Sequence, residues 1–344
     1  MDTRSSRLLI VLALVITSSC AWAQQSAPSG FDQKVNRSWE ATAQLLKLQC
    51  SAPVAFDQKS VAVFKQQAAN GDAAAQCGLG DFYSDDHDLR QNSTQALLEH
   101  LSAQRPSHDY AQAVFWYRKS AEQGDAEAQS RLGEAFRLGQ GVTQDYVQAV
   151  FWCRKAAEQG DAPAQAALGD SYYAGRGVPQ DYAQAALWDR KSAEQGYAVA
   201  QFHLGLSYSE GQGVSQDYVQ AAFWFRKAAE QGNDKAQSTL GAMYAEGQGV
   251  PQGYTQAAFW FRKAAEQGNA RAQVGLASCL GMSHDFAEAY FWLDLATAGK
   301  LDVSDMEQAV RLRDDDASIL TPSQLSRERE RARMWLESHQ AKPQ

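Results

Sequence analysis

The chain has 344 residues, 44% of them hydrophobic, and sets 32 Lys and Arg against 40 Asp and Glu for a formal net charge of −8. That length could hold one large core or several domains, so composition alone does not choose an architecture. The acidic balance argues against a nucleic-acid partner, because neutralising phosphates takes clustered Lys and Arg, and here those residues are interleaved with Glu.

Residues 1–23 carry Arg4 and Arg7, then an apolar run over 8–16, then Ala21-Trp22-Ala23, a small-x-small cleavage pattern. They read as a secretory signal peptide cut after Ala23, which predicts a periplasmic or secreted protein. The apolar run is shorter than the roughly 20 residues of a membrane helix, and no other stretch approaches that length, so no transmembrane segment is expected. Cys20 raises lipidation as an alternative, but Thr17 stands three positions before it, where that signal prefers Leu. Cys50, Cys77, Cys153 and Cys279 then remain, without metal-type spacing; a Cys50–Cys77 bridge and four unbridged buried thiols are both open. Residues 24–56 are expected to form a linker with an amphipathic helix through Val35, Trp39, Thr42 and Leu46.

From residue 57 the chain repeats itself. Trp116, Trp152, Trp188, Trp224 and Trp260 are each 36 apart, and Gly124, Gly160, Gly196, Gly232 and Gly268 keep the same step. A fixed period in this range is the signature of stacked repeats. Trp292 follows after 32 residues, because a GxGV segment like that at Gly139 to Val142 is missing before Asp285. Gly71 lies 53 before Gly124, one period plus a 17-residue insertion. The organisation is a partial unit with Val63 in the Trp position, then six helix pairs, over 57–299, with the insertion at about 85–105. The insertion holds Asp85, Asp86, His87, Asp88 and His100, with His108 beyond, and reads as a solvated loop rather than a cation site. Asn92-Ser93-Thr94 is formally a glycosylation sequon, to which no role is assigned.

Each unit reads as two helices. Asp161 caps the first, Pro163 sits in its first turn, and Ala164, Leu168 and Tyr172 share one face, with Gly169 permitting close helix approach. Gly175 and Gly177 end it, Asp181 caps the second, and Tyr182, Ala185, Ala186 and Trp188 form the next apolar face. Neither helix buries its stripe alone, so neighbouring units must stack. Arg154 and Glu158, four apart, read as a supporting pair on a solvated face, and the Trp series as packing rather than a sugar-binding ladder.

The recurring string A-Q-x-x-L-G-x-x-Y, G-x-G-V-x-Q-D-Y, W-x-R-K-A-A-E-Q-G resembles the Sel-one-like repeat (SLR) family, a longer relative of the tetratricopeptide repeat. The resemblance is carried by Ala164, Gln165, Leu168, Gly169, Tyr172, Gly175, Gly177, Val178, Asp181, Tyr182, Trp188, Lys191, Glu194 and Gly196 and their counterparts. It implies an all-α, right-handed α/α solenoid and a non-catalytic adaptor with a protein or peptide partner. Ala277 replaces the helix-packing Gly, Leu280 the aromatic and Gly253 the capping Asp, which predicts looser final units. Residues 300–344, with Thr321, Pro322 and Gln324 in capping positions, are expected to form capping helices that shield the end of the stack.

An enzyme reading finds no motif. The chain contains no S-x-x-K, no H-E-x-x-H and no G-x-x-x-x-G-K-[ST], so no catalytic residue, metal site or cofactor is assigned and no small-molecule ligand is expected. The competing reading is a protein that binds or hydrolyses cell-wall fragments or β-lactams. The first helices of such repeats line the concave side. Stepping 100° per residue puts Ala200, Leu204 and Tyr208 on the core face and Val199, Phe202, His203 and Leu206 opposite it. Phe202, Leu206 and Tyr173, with His203 beside them and Glu134 and Asp170 on the flank, form the candidate partner-binding patch; the alternative is that Phe202 packs against the adjacent repeat.

Overall fold

Helix pairs follow directly from the caps. The structure is a computed structural model that describes residues 65–84 and 109–340; the signal peptide, the helix expected within 24–56, Cys50 and the insertion histidines lie outside those residues. Six pairs stack in order: α1 (Ala73–Ser84) with α2 (Tyr110–Glu122), α3 (Ala126–Leu138) with α4 (Tyr146–Glu158), and α5 (Ala162–Ala174) with α6 (Tyr182–Glu194). Then come α7 (Ala198–Glu210) with α8 (Tyr218–Glu230), α9 (Asp234–Glu246) with α10 (Tyr254–Glu266), and α11 (Ala270–Met282) with α12 (Phe286–Ala298). α13 (Val303–Ile319) and α14 (Pro322–Gln340) follow, and every regular element among the described residues is a helix. Each helix packs on its partner and on the next pair, the contact pattern of a solenoid.

Local chemistry fixes the boundaries. Asp161 accepts from the Ala164 amide and Asp181 from those of Ala183 and Gln184, satisfying donors that a helix start leaves open. The first helices α3, α5, α7 and α9 end on a left-handed glycine such as Gly211, α11 on Ser283 instead, and the second glycine of each G-x-G has a different task. A Cβ on Gly213 would lie 1.9 Å from the Tyr182 carbonyl of the preceding pair, so the loop can lie on that helix only without a side chain.

In α3, α5, α7 and α9 a helix glycine faces the residue twenty positions later: a Cβ on Gly205 would meet the Phe225 ring at 2.7 Å, and one on Gly169 the Asp189 carboxylate at 2.6 Å. Between pairs, buried glutamines bind the stack. Gln201 donates to the Ala193 carbonyl eight residues back, and its Oε1 accepts from Gln231 at 2.7 Å; Gln129, Gln165 and Gln237 repeat both bonds. Trp188 packs on the Val150, Ala164 and Leu168 cluster, and Trp224 on Ala193, Ala200 and Leu204, so the recurring tryptophans fill the seams between units.

Two expectations are corrected, and of the two readings left open for the cysteines the unbridged one is found among the described residues. Arg154 does not pair with Glu158: its guanidinium donates to the Tyr172 hydroxyl of the next pair at 2.8 Å, as Arg190 does to Tyr208, because a half-buried phenol offers a better-ordered acceptor than a solvated carboxylate. The final units are not loose. Ala277 and Leu276 join Phe291, Trp292, Leu293 and Leu295 in one extended apolar cluster, to which Ala332 of the C-terminal segment and the half-buried Trp335 and Leu336 are added. Cys77 and Cys153 are buried free thiols and Cys279 is a half-buried one; burial pushes the Cys153 thiol up to about 12.

The C-terminal helices close the stack. The Thr321 amide donates to Gln324 Oε1 at 2.9 Å and the Gln324 amide returns to Thr321 Oγ1 at 3.4 Å, a reciprocal cap at the start of α14. Arg271 reaches Asp302 and Asp305 to hold α13, while Arg331 on Glu288 and Arg329 on the Tyr290 hydroxyl hold α14 against α12. No helix among the described residues is long and apolar enough to cross a membrane.

Candidate functional site

The six residues expected to share one patch are placed by the structure in three environments. Glu134 on α3 and Asp170 on α5 face one open cavity of about 320 Å³, lined also by Glu127, Arg131, Arg137 and Val199 of the first helices α3 and α7. Arg137 closes on Glu134 at 2.7 and 2.5 Å, and that hydrogen-bonded pair raises the arginine pKa further. Arg131 lies 3.6 Å from Asp81 of the preceding pair. The cavity therefore offers carboxylates and guanidinium groups already held in position, beside an exposed valine.

Phe202 and Leu206 are elsewhere. Both are half-buried against the cluster of Ala221, Phe225 and Leu240, and the Phe202 and Phe225 rings stand 5.6 Å apart. The expected free exposure is thus corrected in favour of packing against the adjacent repeat: the cluster that Phe202 and Leu206 meet is drawn from α8 of their own unit and from Ala236, Leu240 and Met243 of α9 in the next. Tyr173 is exposed and meets Tyr182 edge-on at 5.3 Å.

His203 and Asp170, both expected in the patch, are joined by the buried Asp189, which the sequence did not single out. His203 Nδ1 lies 3.2 Å from Asp170 Oδ1 and 3.8 Å from Asp189 Oδ1, and neither His203 Nδ1 nor Asp189 Oδ1 has a hydrogen-bond partner among the described residues. Asp189 is 3% exposed. Burial pushes its carboxyl up to about 6, against the pull of His203, while the two carboxylates raise the pKa of His203 in spite of its own burial. The signal was present in the 36-residue register: Tyr117, Cys153, Phe225 and Phe261 occupy the position of Asp189 in other units, so a carboxylate there is an ion in an apolar column. No group of three or more His, Cys, Asp or Glu residues that could hold a metal is present among the described residues.

Comparison with known proteins identifies the repeat. The Sel1 repeat model matches residues 73–98, 103–125, 126–161, 162–197, 198–233, 234–269 and 270–300. The chain is similar to a Sel1 repeat protein of Oxalobacter formigenes at 30% identity, covering 68% of this chain and 88% of that one with a TM-score of 0.54. It is also similar to a protective antigen of uropathogenic Escherichia coli with an SLR fold, at 25% identity, 82% and 97% coverage and a TM-score of 0.26. A putative Sel1 repeat protein of Klebsiella pneumoniae shares 24% identity over 63% of this chain and 97% of that one, with a TM-score of 0.39. No curated protein matches. The matched segments cover most of residues 73–300, and the chain belongs to the Sel1 repeat family, whose members generally mediate protein–protein interaction.

Proposed function

We propose that this protein is a non-catalytic interaction scaffold of the bacterial periplasm or of the extracellular space, and that it holds a protein or peptide segment along its first helices. The observation that carries the reading is the cavity shared by α3, α5 and α7, where Glu127, Glu134 and Asp170 stand beside Val199 on the open side of consecutive units. Pre-positioned charges next to an apolar contact select a partner segment by register and sign, while the stacked helices keep the groove rigid. The signal-peptide pattern of residues 1–23 supports the location outside the cytoplasm.

The test is affinity purification from the native host with the full chain and with a Glu127→Arg, Val199→Arg variant. A partner retained by the parent and lost from the variant, at an unchanged melting temperature, supports the reading. Equal retention by both overturns the groove assignment, and turnover of muropeptides or β-lactams by the purified protein overturns the non-catalytic one.

A further inference from the structure

The second helices carry an apolar row that the groove does not use. Phe115, Phe151, Leu187, Phe223 and Phe259 recur every 36 residues and are 45–52% exposed. Each phenylalanine is set edge-on against the following tryptophan at 5.0–5.1 Å, so its ring is fixed rather than free to fold away. One turn on stand Lys119, Lys155, Lys191, Lys227 and Lys263, all exposed. Four of them lie 4.6–5.2 Å from the phenylalanine ring of their own helix. None has a carboxylate at ion-pair distance among the described residues.

The same register in the sixth pair shows what covers such a face. Phe291 is 2% exposed, because α14 folds back across α12: Arg331 lies 3.8 Å from the centre of its ring, and Ala332, Trp335 and Leu336 join the same cluster. Leu295 stands where the other units carry lysine. Leu295 is buried in the same apolar cluster as Ala332 of α14, whereas a helix lying over the open units meets lysines there and would need carboxylates to match them. At about 1.5 Å per residue, a helix of ~20 residues is long enough to cross several units.

We propose that the outer face of α2, α4, α6, α8 and α10 is a second docking surface, built for an amphipathic α-helix of another protein whose apolar stripe is flanked by Asp or Glu. It sits on the second helices, apart from the groove of the first helices, so one chain can hold two partners at once. The aromatic row supplies the desolvated anchors and the lysine row sets sign and orientation. The glutamates Glu122, Glu158, Glu194, Glu230 and Glu266 are the last residues of these helices, one turn beyond the lysines.

The test uses the full chain and two fluorescent synthetic helical peptides of about 20 residues with identical leucine stripes, one flanked by Glu and one by Lys. The Glu peptide is expected to bind at least about tenfold tighter, a difference of ~1.4 kcal/mol. Phe151→Ser with Phe223→Ser should weaken that binding about tenfold, and Lys155→Glu with Lys227→Glu should reverse the preference between peptides. The lysine variant reverses charge only at exposed positions and keeps the test valid if the serine variant folds poorly. Glu127→Arg, in the groove, should leave peptide binding unchanged. Equal binding of the two peptides, insensitivity to the lysine variant, or loss of binding in Glu127→Arg overturns the proposal. So does retention on phosphatidylglycerol vesicles in place of the Glu peptide, since it would assign the face to a lipid surface.

Discussion

Asp189 Oδ1 lies 3.8 Å from His203 Nδ1 across the seam between two consecutive units, with Asp170 on α5 and Lys235 on α9 as the other charged groups facing the imidazole. Both partners have pKa values raised by the fold, so both favour the protonated form in the folded protein. The stability His203 contributes is present at low pH and lost as pH rises through its folded pKa. Asp189, with a carboxyl pushed up to about 6, is accommodated best when neutral, and its burial becomes unfavourable as pH climbs through that value. The two effects share a sign: stability should fall between pH 5 and pH 8. Asp189→Asn should flatten this dependence and stabilise the protein at pH 8 by about 1–2 kcal/mol, read from urea unfolding at both pH values. An unchanged slope would show that the pair does not titrate in this range.

Phe202 offers a direct measure of the seam it occupies. Because its ring packs 5.6 Å from that of Phe225, Phe202→Ser should destabilise the protein by about 1–3 kcal/mol, visible as a clear drop in Tm. Loss of partner capture without such a drop would return this side chain to the binding surface.

The glutamine bonds make a second stability test. Gln237 is buried, donates to the Ala229 carbonyl at 3.0 Å and accepts from Gln267 at 2.7 Å. Gln237→Ala leaves a buried carbonyl without its donor and should cost about 1–3 kcal/mol in chemical unfolding. Gln231→Ala, at an exposed site, should cost visibly less.

Two glycines with similar positive φ separate backbone strain from close approach. Gly196 has φ 95° with open space where a Cβ would stand, whereas a Cβ on Gly213 would strike the Tyr182 carbonyl. Gly196→Ala should cost roughly 1–2 kcal/mol from the left-handed backbone alone. Gly213→Ala should cost more and broaden the unfolding transition by loosening neighbouring units, as calorimetry would show. Equal costs would mean that the G-x-G loop does not bear on the preceding helix.

At the start of α10, Gly253 provides no side-chain cap, although Asp217 and Asp181 cap the equivalent helices. Its φ of −166° is extended backbone that any residue adopts, and the nearest obstacle is the flexible end of Gln256. Gly253→Asp should therefore stabilise the protein by about 0.5–1 kcal/mol in thermal unfolding. A lower Tm would mean that Gln256 cannot give way.

The period, the caps and the G-x-G loops were legible in the sequence because each rests on interactions within a few residues or on a register that repeats every 36 positions. An amide near Asp161 is satisfied by Asp161 whatever lies further away, so helix pairs and their boundaries can be read locally. The reciprocal cap of Thr321 and Gln324 belongs to the same class.

Which side of a helix meets solvent was decided by the tertiary structure. A helical wheel separates the face holding Leu204 from the face holding Phe202, but each first helix contacts its own second helix and both neighbouring units, so two faces are covered and not one. For the same reason Phe115, Phe151, Phe223 and Phe259 are exposed while Phe291, in the same register, is buried: the difference is the return of α14, forty residues further on, which no local pattern encodes. The sequence by itself determined that helical hairpins stack. Only the packed stack decided which aromatic side chains hold it together and which face outward, since burial depends on groups brought close from distant parts of the chain.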